Sequence, residues 1–321
     1  MNDVRCPSCS SSRVIKKGRR TTCFEKVQLY RCNSCGKHFV KRPMKHVSYP
    51  PLVIYTSLIF YHLGHTLDET RKQVNKQFKV NTGKTTIYSW VKRYQDLCPI
   101  SRLRDRMLDE GTADDVVFTK QFDHENLEYL FLYHKYKLGA LASQRFPGFA
   151  DYIIRFENGC PDAFFKFGER CSQPLFQVNV KPRSGVNLAC KMARFAVSAR
   201  RNNRERHRLV EWFMLVNDTA TVACEVPVWY WEKSSDTGVT GHIDMVQIRG
   251  DTLYIMDYKP DAPHEKKAPQ QLYHYAVALS FRTKIPFERI RCAWFDETRY
   301  YEFRPLDAEV TLMRRQRLNT S

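Results

Sequence analysis

Apolar residues recur along this chain of 321 residues at two different periods, and the change of period divides it. Between Pro51 and Tyr94 the spacing is helical. The run PLVIYTSLIFYHL is followed by Leu67, Val74 and Phe78, and then by Ile87, Trp90, Val91 and Tyr94 at i, i+3, i+4 and i+7, the spacing of a core-facing stripe. Pro51 opens the first helix, which runs to about Leu63. Thr66 with Glu69 forms a capping box for the second, and Lys79-Val80-Asn81-Thr82-Gly83 forms the turn before the third. The pattern predicts a small helix-turn-helix domain over residues 48–98, whose last helix turns Lys84, Thr85, Thr86, Ser89, Lys92 and Arg93 outward.

In GHIDMVQIRGDTLYIMDYKP the period falls to two on either side of Arg249-Gly250-Asp251-Thr252, which predicts a β-hairpin with a two-residue Gly-Asp turn. In that register 249 faces 252, 246 faces 255, and Asp244 faces Asp257. Alternation then places Asp257 and Lys259 on one face, with Asp244 across the ladder, at the end of the apolar row Val246, Ile248, Leu253 and Ile255. Two carboxylates and an ammonium on a buried surface suit a divalent cation held by both acids, with the lysine beside a reacting phosphate. The plainer alternative is an exposed hairpin carrying a cross-strand salt bridge.

Residues 99–175 read as a mixed-charge linker, SRLRDRMLDEGTADD, and a helical region, ENLEYLFLYHKYKLGALASQRFPGFADYIIRF, broken at Phe146-Pro147-Gly148. Its aromatic residues are read as core in preference to a stacking platform for unpaired bases. From residue 176 a strand, within PLFQVNVKP, leads into a long basic helix ending near Leu215. Arg194, Arg200, Arg201, Arg204, Arg206 and Arg208 there either follow a nucleic-acid backbone or form a solvated face.

Charge and cysteine usage sharpen this picture. The net charge of +18 and pI near 9.5 point to a polyanionic partner. Residues 1–48 hold twelve Lys and Arg against Asp3 and Glu25, a net of +10 and more than half of the total. The same segment carries Cys6-Pro-Ser-Cys9 and Cys32-Asn-Ser-Cys35, two C-x-x-C pairs whose four thiolates suit tetrahedral Zn²⁺, with a strand, turn and strand between them. The alternatives are four unligated thiols or a redox pair, and Cys23 is left over. With eleven cysteines, no apolar signal segment in MNDVRCPSC and no apolar run long enough to span a bilayer, the expectation is a reducing, cytoplasmic compartment and no membrane.

Glu225 in CEVPVWYW, Gly241-His242-Ile243-Asp244, Asp257-Tyr258-Lys259 and Gln271-Leu272-Tyr273-His274-Tyr275 follow the order of motifs in the PD-(D/E)xK nuclease superfamily. Over roughly residues 186–300 the chain resembles the RecB-like branch of that superfamily. The resemblance implies an α/β restriction-endonuclease-like nuclease domain over residues 176–321, with a mixed central sheet flanked by helices. It implies phosphodiester hydrolysis with Mg²⁺ or Mn²⁺ held by Asp244 and Asp257. Lys259 would orient or activate water, Glu225 would be a further ligand or a base, and Gln271 and Tyr275 would close the site or touch DNA. His207, with Glu211 one turn on, matches a histidine that this branch often carries before its first strand. Imidazole suits softer metals than Mg²⁺, so His207 stands either as a ligand or as a solvated residue.

The paired knuckles of residues 1–45 are similar to the zinc ribbon at the front of many transposases, and TTIYSWVKRY to the helix-turn-helix beside it. The four-cysteine iron–sulfur pattern of some RecB-like nucleases is not met. Cys160, Cys171, Cys190 and Cys224 precede the D-x-K and only Cys292 follows Tyr275, so these read as small core residues. The expectation is a DNA-processing enzyme of transposition, defence or repair that acts on DNA, double-stranded above all, with the oligomeric state left open and a dimer compatible. A non-catalytic DNA-binding protein on a nuclease-like scaffold and an RNA-directed nuclease are the competing readings.

Overall fold

The computed structural model describes residues 4–21, 26–40, 49–110, 112–124, 127–161, 165, 169–171, 176–233 and 236–312. Cys23 lies outside them. The first sheet is a three-stranded antiparallel ribbon, β1 (Val14–Thr21), β2 (Lys26–Cys32) and β3 (His38–Val40), in the order β1-β2-β3. Its first two strands are the two expected between the cysteine pairs, the turn expected between them lies outside the described residues, and the sheet closes on a stacked contact of Tyr30 with Phe39.

Three helices follow at the expected bounds: α1 (Pro51–Leu63), α2 (Leu67–Phe78) and α3 (Lys84–Arg93). The capping box of Thr66 and Glu69 is complete, and Ile87, Trp90 and Val91 are buried as the stripe requires. The helical unit does not keep its core to itself. Val53, Ile54 and Leu58 of α1 are at most 1% exposed and lie in one apolar cluster with two later helices, α7 (Leu188–Ser198) and α8 (Arg206–Asn217). The Tyr55 hydroxyl donates to the Leu209 carbonyl oxygen at 3.0 Å, and the His62 ring meets the Asn217 side chain at 2.7 Å. An apolar helix such as α1 has no solvent face to spare and belongs between layers.

The main sheet is mixed and nine-stranded, running β4 (Val117–His124), β5 (Leu127–His134), β9 (Thr221–Glu232), β10 (Thr237–Arg249), β11 (Thr252–Tyr258), β12 (Ile290–Phe295), β13 (Tyr300–Phe303) and β8 (Arg183–Gly185), with β6 (Glu169–Arg170) joined in parallel to β10. The pairing of β11 with β12 is parallel and is bridged by α9 (Ala268–Thr283). Helices α7 and α8 pack on one face of the sheet and α9 on the other, which gives the α/β architecture with a mixed central sheet expected from the sequence. β7 (Phe176–Asn179) pairs only with β14 (Glu309–Leu312). No helix among the described residues is long and apolar enough to cross a membrane.

Three expectations are corrected. Residues 127–134 are a strand rather than the start of a helical region: β5 pairs along its length with β4 and through Leu132 and Tyr133 with β9. Its last four residues are buried, so the polar alternation that marks a half-exposed strand is missing, and pairing decides the outcome. The region becomes helical only at α5 (Lys135–Ala142) and α6 (Pro147–Arg155), where Pro147 sits at the helix start as the break at residues 146–148 anticipates. The stretch of residues 99–110 is not an unstructured linker either, since it contains a 3₁₀ turn and α4 (Arg104–Glu110). The long basic helix is in fact two helices, α7 and α8, because the Asn202 side chain accepts from the Arg204 amide and starts a 3₁₀ turn that redirects the chain.

Candidate active site

The hairpin of β10 and β11 has the expected register, Arg249 opposite Thr252 and Val246 opposite Ile255, with Gly250 at φ +58 supplying the turn. It is an interior pair of the main sheet, so the exposed salt-bridge alternative falls away. Asp257 is fully buried, and Lys259 brings its Nζ to 2.9 Å from Asp257 Oδ2. Asp244 Oδ2 accepts the Tyr258 backbone N–H at 3.1 Å, which fixes that carboxylate across the end of the ladder.

Glu225 enters from β9, opposite Asp244, between the pairs Cys224 with Met245 and Val226 with Ile243. Its φ of +51 lies in the left-handed region, inside an otherwise regular strand. A glutamate has no intrinsic reason to adopt this conformation, which costs about 1–3 kcal/mol and concentrates at functional sites.

A fourth carboxylate, Glu211, arrives from α8. Burial raises its carboxyl well above the usual range, and Glu225, Asp244 and Asp257 push in the same direction. Burial likewise raises Asp257 well above its ordinary value, with Asp244 adding to it, and raises Glu225 to about 7 with help from Asp257. Burial alone would lower the Lys259 ammonium, but Asp257 and Asp244 outweigh it and the net shift is upward. Glu211 Oε1 and Asp257 Oδ1 are buried without a hydrogen-bond partner among the described residues. Orphaned buried carboxylate oxygens carry a desolvation cost that a cation would offset. Among the described residues no three ligand atoms of these acids lie within 4.8 Å of one another, whereas those of the ribbon cysteines do.

His207 packs its ring edge-on against Tyr258, with ring centres 5.2 Å apart. Burial lowers its imidazole and the charge of Asp257 opposes that shift, so His207 stands beside the acids and is not a solvated surface residue. Glu211 was legible only as a neighbour of His207 one helical turn away. Two residues at i and i+4 share a face, and burial of that face against β9 and β10 brings both to the acids.

The remaining motif residues lock together. Gln271 Nε2 donates to the Tyr275 hydroxyl at 2.7 Å on α9. A Cβ placed on Gly241 would meet Tyr275 Cε1 at 2.5 Å and Cys171 Sγ at 3.1 Å, so the glycine is required by the close approach of that ring. A cavity of about 200 Å³ opens beside these residues and is lined in part by Glu225, Asp244, Gln271 and Tyr275.

At the other end of the chain the ribbon gathers Cys6, Cys9, Cys32 and Cys35, with Sγ separations of 3.5 Å for Cys6 to Cys35 and for Cys9 to Cys32. Burial opposes ionisation of Cys32, but backbone amides of Cys35 and Ser34 outweigh it and bring the thiol to about 6. The set suits Zn²⁺, which would supply folding energy to a ribbon of this size. Purified protein is expected to carry about one zinc per chain. Cys6→Ser or Cys35→Ser should lower that content without changing the main thermal transition. Metal analysis that finds iron, or no metal, rules the site out.

On α3, Lys84, Thr85, Ser89, Lys92 and Arg93 are exposed and Thr86 is half-buried. Lys84 Nζ lies 3.3 Å from Asp68, and Ser89 Oγ donates to the Thr86 carbonyl oxygen at 2.7 Å, so part of this polar face is already engaged within the unit. Of the other cysteines read as small core residues, Cys171, Cys190, Cys224 and Cys292 are buried, whereas Cys160 is only half-buried against the core. No protein-family model, curated protein or solved structure matches the chain.

Proposed function

We propose that the chain is a divalent-metal-dependent deoxyribonuclease with a restriction-endonuclease-like catalytic domain, brought to DNA by the zinc ribbon and the helix-turn-helix. The observation that carries this reading is the set of four mutually perturbing carboxylates, Glu211 and Asp257 buried and Glu225 and Asp244 half-buried, with the Lys259 ammonium 2.9 Å from Asp257. Acids held out of water beside one another cost stability and cluster at functional sites.

Asp244 and Asp257, with Glu225 or Glu211 and His207 at hand, would hold Mg²⁺ or Mn²⁺, which lowers the pKa of bound water and neutralises charge at the phosphorus. Lys259 faces the same centre as a fixed positive charge for the non-bridging oxygens as the negative charge on phosphorus grows. Glu225, with a carboxyl near 7, is poised to accept the proton of the attacking water at neutral pH. The new bond joins water oxygen to phosphorus, and the breaking bond releases the bridging oxygen, which leaves with a proton from solvent. Asp244 is held to the Tyr258 amide, and Tyr275 is wedged on Gly241, so neither has to reorganise.

The test is one assay with three substrates. Single-stranded DNA, duplex DNA and RNA of one sequence are incubated with Mg²⁺ or Mn²⁺ and with chelator. Cleavage of DNA that requires the metal is the expected result. Tight binding without cleavage under any metal would favour the non-catalytic scaffold, and cleavage of RNA alone would favour the RNA-directed enzyme.

A further inference from the structure

We infer that the cavity beside the acid cluster is a receptor for one unpaired nucleobase of the strand being cut. The inference rests on the nuclease reading and adds the form of the substrate. The cavity joins two kinds of lining. Glu225 and Asp244 belong to the proposed reaction centre, whereas His124, Tyr129, Phe165 and His242 are aromatic rings. The rings are ordered in pairs: Tyr129 lies parallel to His242 at a centre distance of 3.6 Å, and His124 lies parallel to Phe165 at 3.9 Å. The two pairs are tied by a 2.8 Å hydrogen bond between His124 Nδ1 and His242 Nε2.

Both imidazoles are buried. A planar aromatic wall binds the face of a base, and the polar groups of Thr240 and Gln271 in the same lining suit its edge.

Size decides between one base and a base pair. At about 200 Å³ the cavity is smaller than a pocket for a drug-sized molecule and suits a single ring system. A base that is still paired and stacked in duplex DNA cannot enter. The strand must therefore be single, frayed or extruded at the nucleotide beside the reacting phosphate. No periodicity argument points to this wall, because its rings come from β4, β5, β10 and the segment at Phe165, which are remote in sequence. The aromatic residues of residues 127–161 are core, as the sequence suggests, except Tyr129 and Tyr136, which are half-buried.

The test uses a single-stranded oligonucleotide in which one 2-aminopurine is moved stepwise along the strand, with Ca²⁺ in place of Mg²⁺ so that binding is read without cleavage. Its fluorescence should be quenched at one position only. Tyr129→Ala should remove that quench and weaken binding about tenfold, the equivalent of one stacked base, whereas Tyr129→Phe should retain both. An abasic nucleotide at the quenched position should weaken cleavage of the same strand by the wild-type protein in Mn²⁺.

Uniform quenching at every position, or an unchanged quench in Tyr129→Ala, overturns the base receptor. Cleavage by the wild-type protein that ignores the abasic site overturns it too, while leaving the nuclease reading intact. Absence of any metal-dependent cleavage defeats both.

Discussion

Asp257→Asn is expected to abolish metal-dependent cleavage, by at least about a thousand-fold, while leaving the protein folded and no less stable. The carboxylate is fully buried, lies 2.9 Å from Lys259 Nζ, and is raised well above its ordinary value by burial and by Asp244. A group whose folded pKa is raised contributes stability that is present at low pH and lost as the pH climbs through the folded value. Its ionisation therefore works against the metal-free fold at high pH. Asparagine keeps the shape and removes that cost, so a metal-free melting temperature equal to or above wild type should accompany the lost activity. Lys259→Met is expected to lose activity to a similar degree but to lower the melting temperature, because it removes the ammonium paired with the buried Asp257. Single-turnover cleavage and thermal scanning of both variants decide the matter. Retention of activity in both would remove the nuclease assignment.

Removing residues 1–99 is expected to unfold the remainder, whereas removing residues 1–45 is not. A division at about residue 98, as the sequence pattern suggests, would predict an autonomous catalytic fragment. Val53, Ile54, Tyr55, Leu58 and Ile59 are instead packed in the cluster that holds α7 and α8, the latter carrying His207 and Glu211. Each such side chain contributes about 1.5–3 kcal/mol of burial, and five of them together rival the net stability of about 5–15 kcal/mol typical of a whole domain. The fragment 100–321 should aggregate or melt without a cooperative transition, and the fragment 46–321 should retain the full-length transition. The ribbon pairs its strands only with each other, which is why its loss is tolerated. A cooperative melt of 100–321 at the full-length temperature would show that α1 only rests on the domain of the main sheet. Because the 100–321 fragment should not fold, the part played by the N-terminal modules in DNA affinity is better tested by comparing the salt dependence of binding for 46–321 and full-length protein. The net +10 of residues 1–48 should give the full-length chain the steeper slope.

Sequence alone determined what is local. The capping box at Thr66 and Glu69, the stripe of Ile87, Trp90 and Val91, the turn at Gly250 and the knuckle spacing of the four cysteines each depend on residues a few positions apart, whose geometry is set by backbone sterics and short-range hydrogen bonds. The order of the acidic motifs was equally legible, because three of them lie on neighbouring strands of one meander, where register follows from alternation. Tertiary structure alone decided what depends on pairing and burial between distant segments. Residues 127–134 became a strand because β4 and β9 offered their edges, against a composition that also suits a helix. The polar-looking helix of Arg206 to Asn217 turned Glu211 inward only because the sheet covers that face, and a left-handed Glu225 is visible in no pattern. The ring-lined cavity assembles four chain segments, and α1 lost its independence to α7 and α8. In each case the deciding free energy is desolvation across a long-range contact, which a one-dimensional pattern constrains but does not assign to a partner.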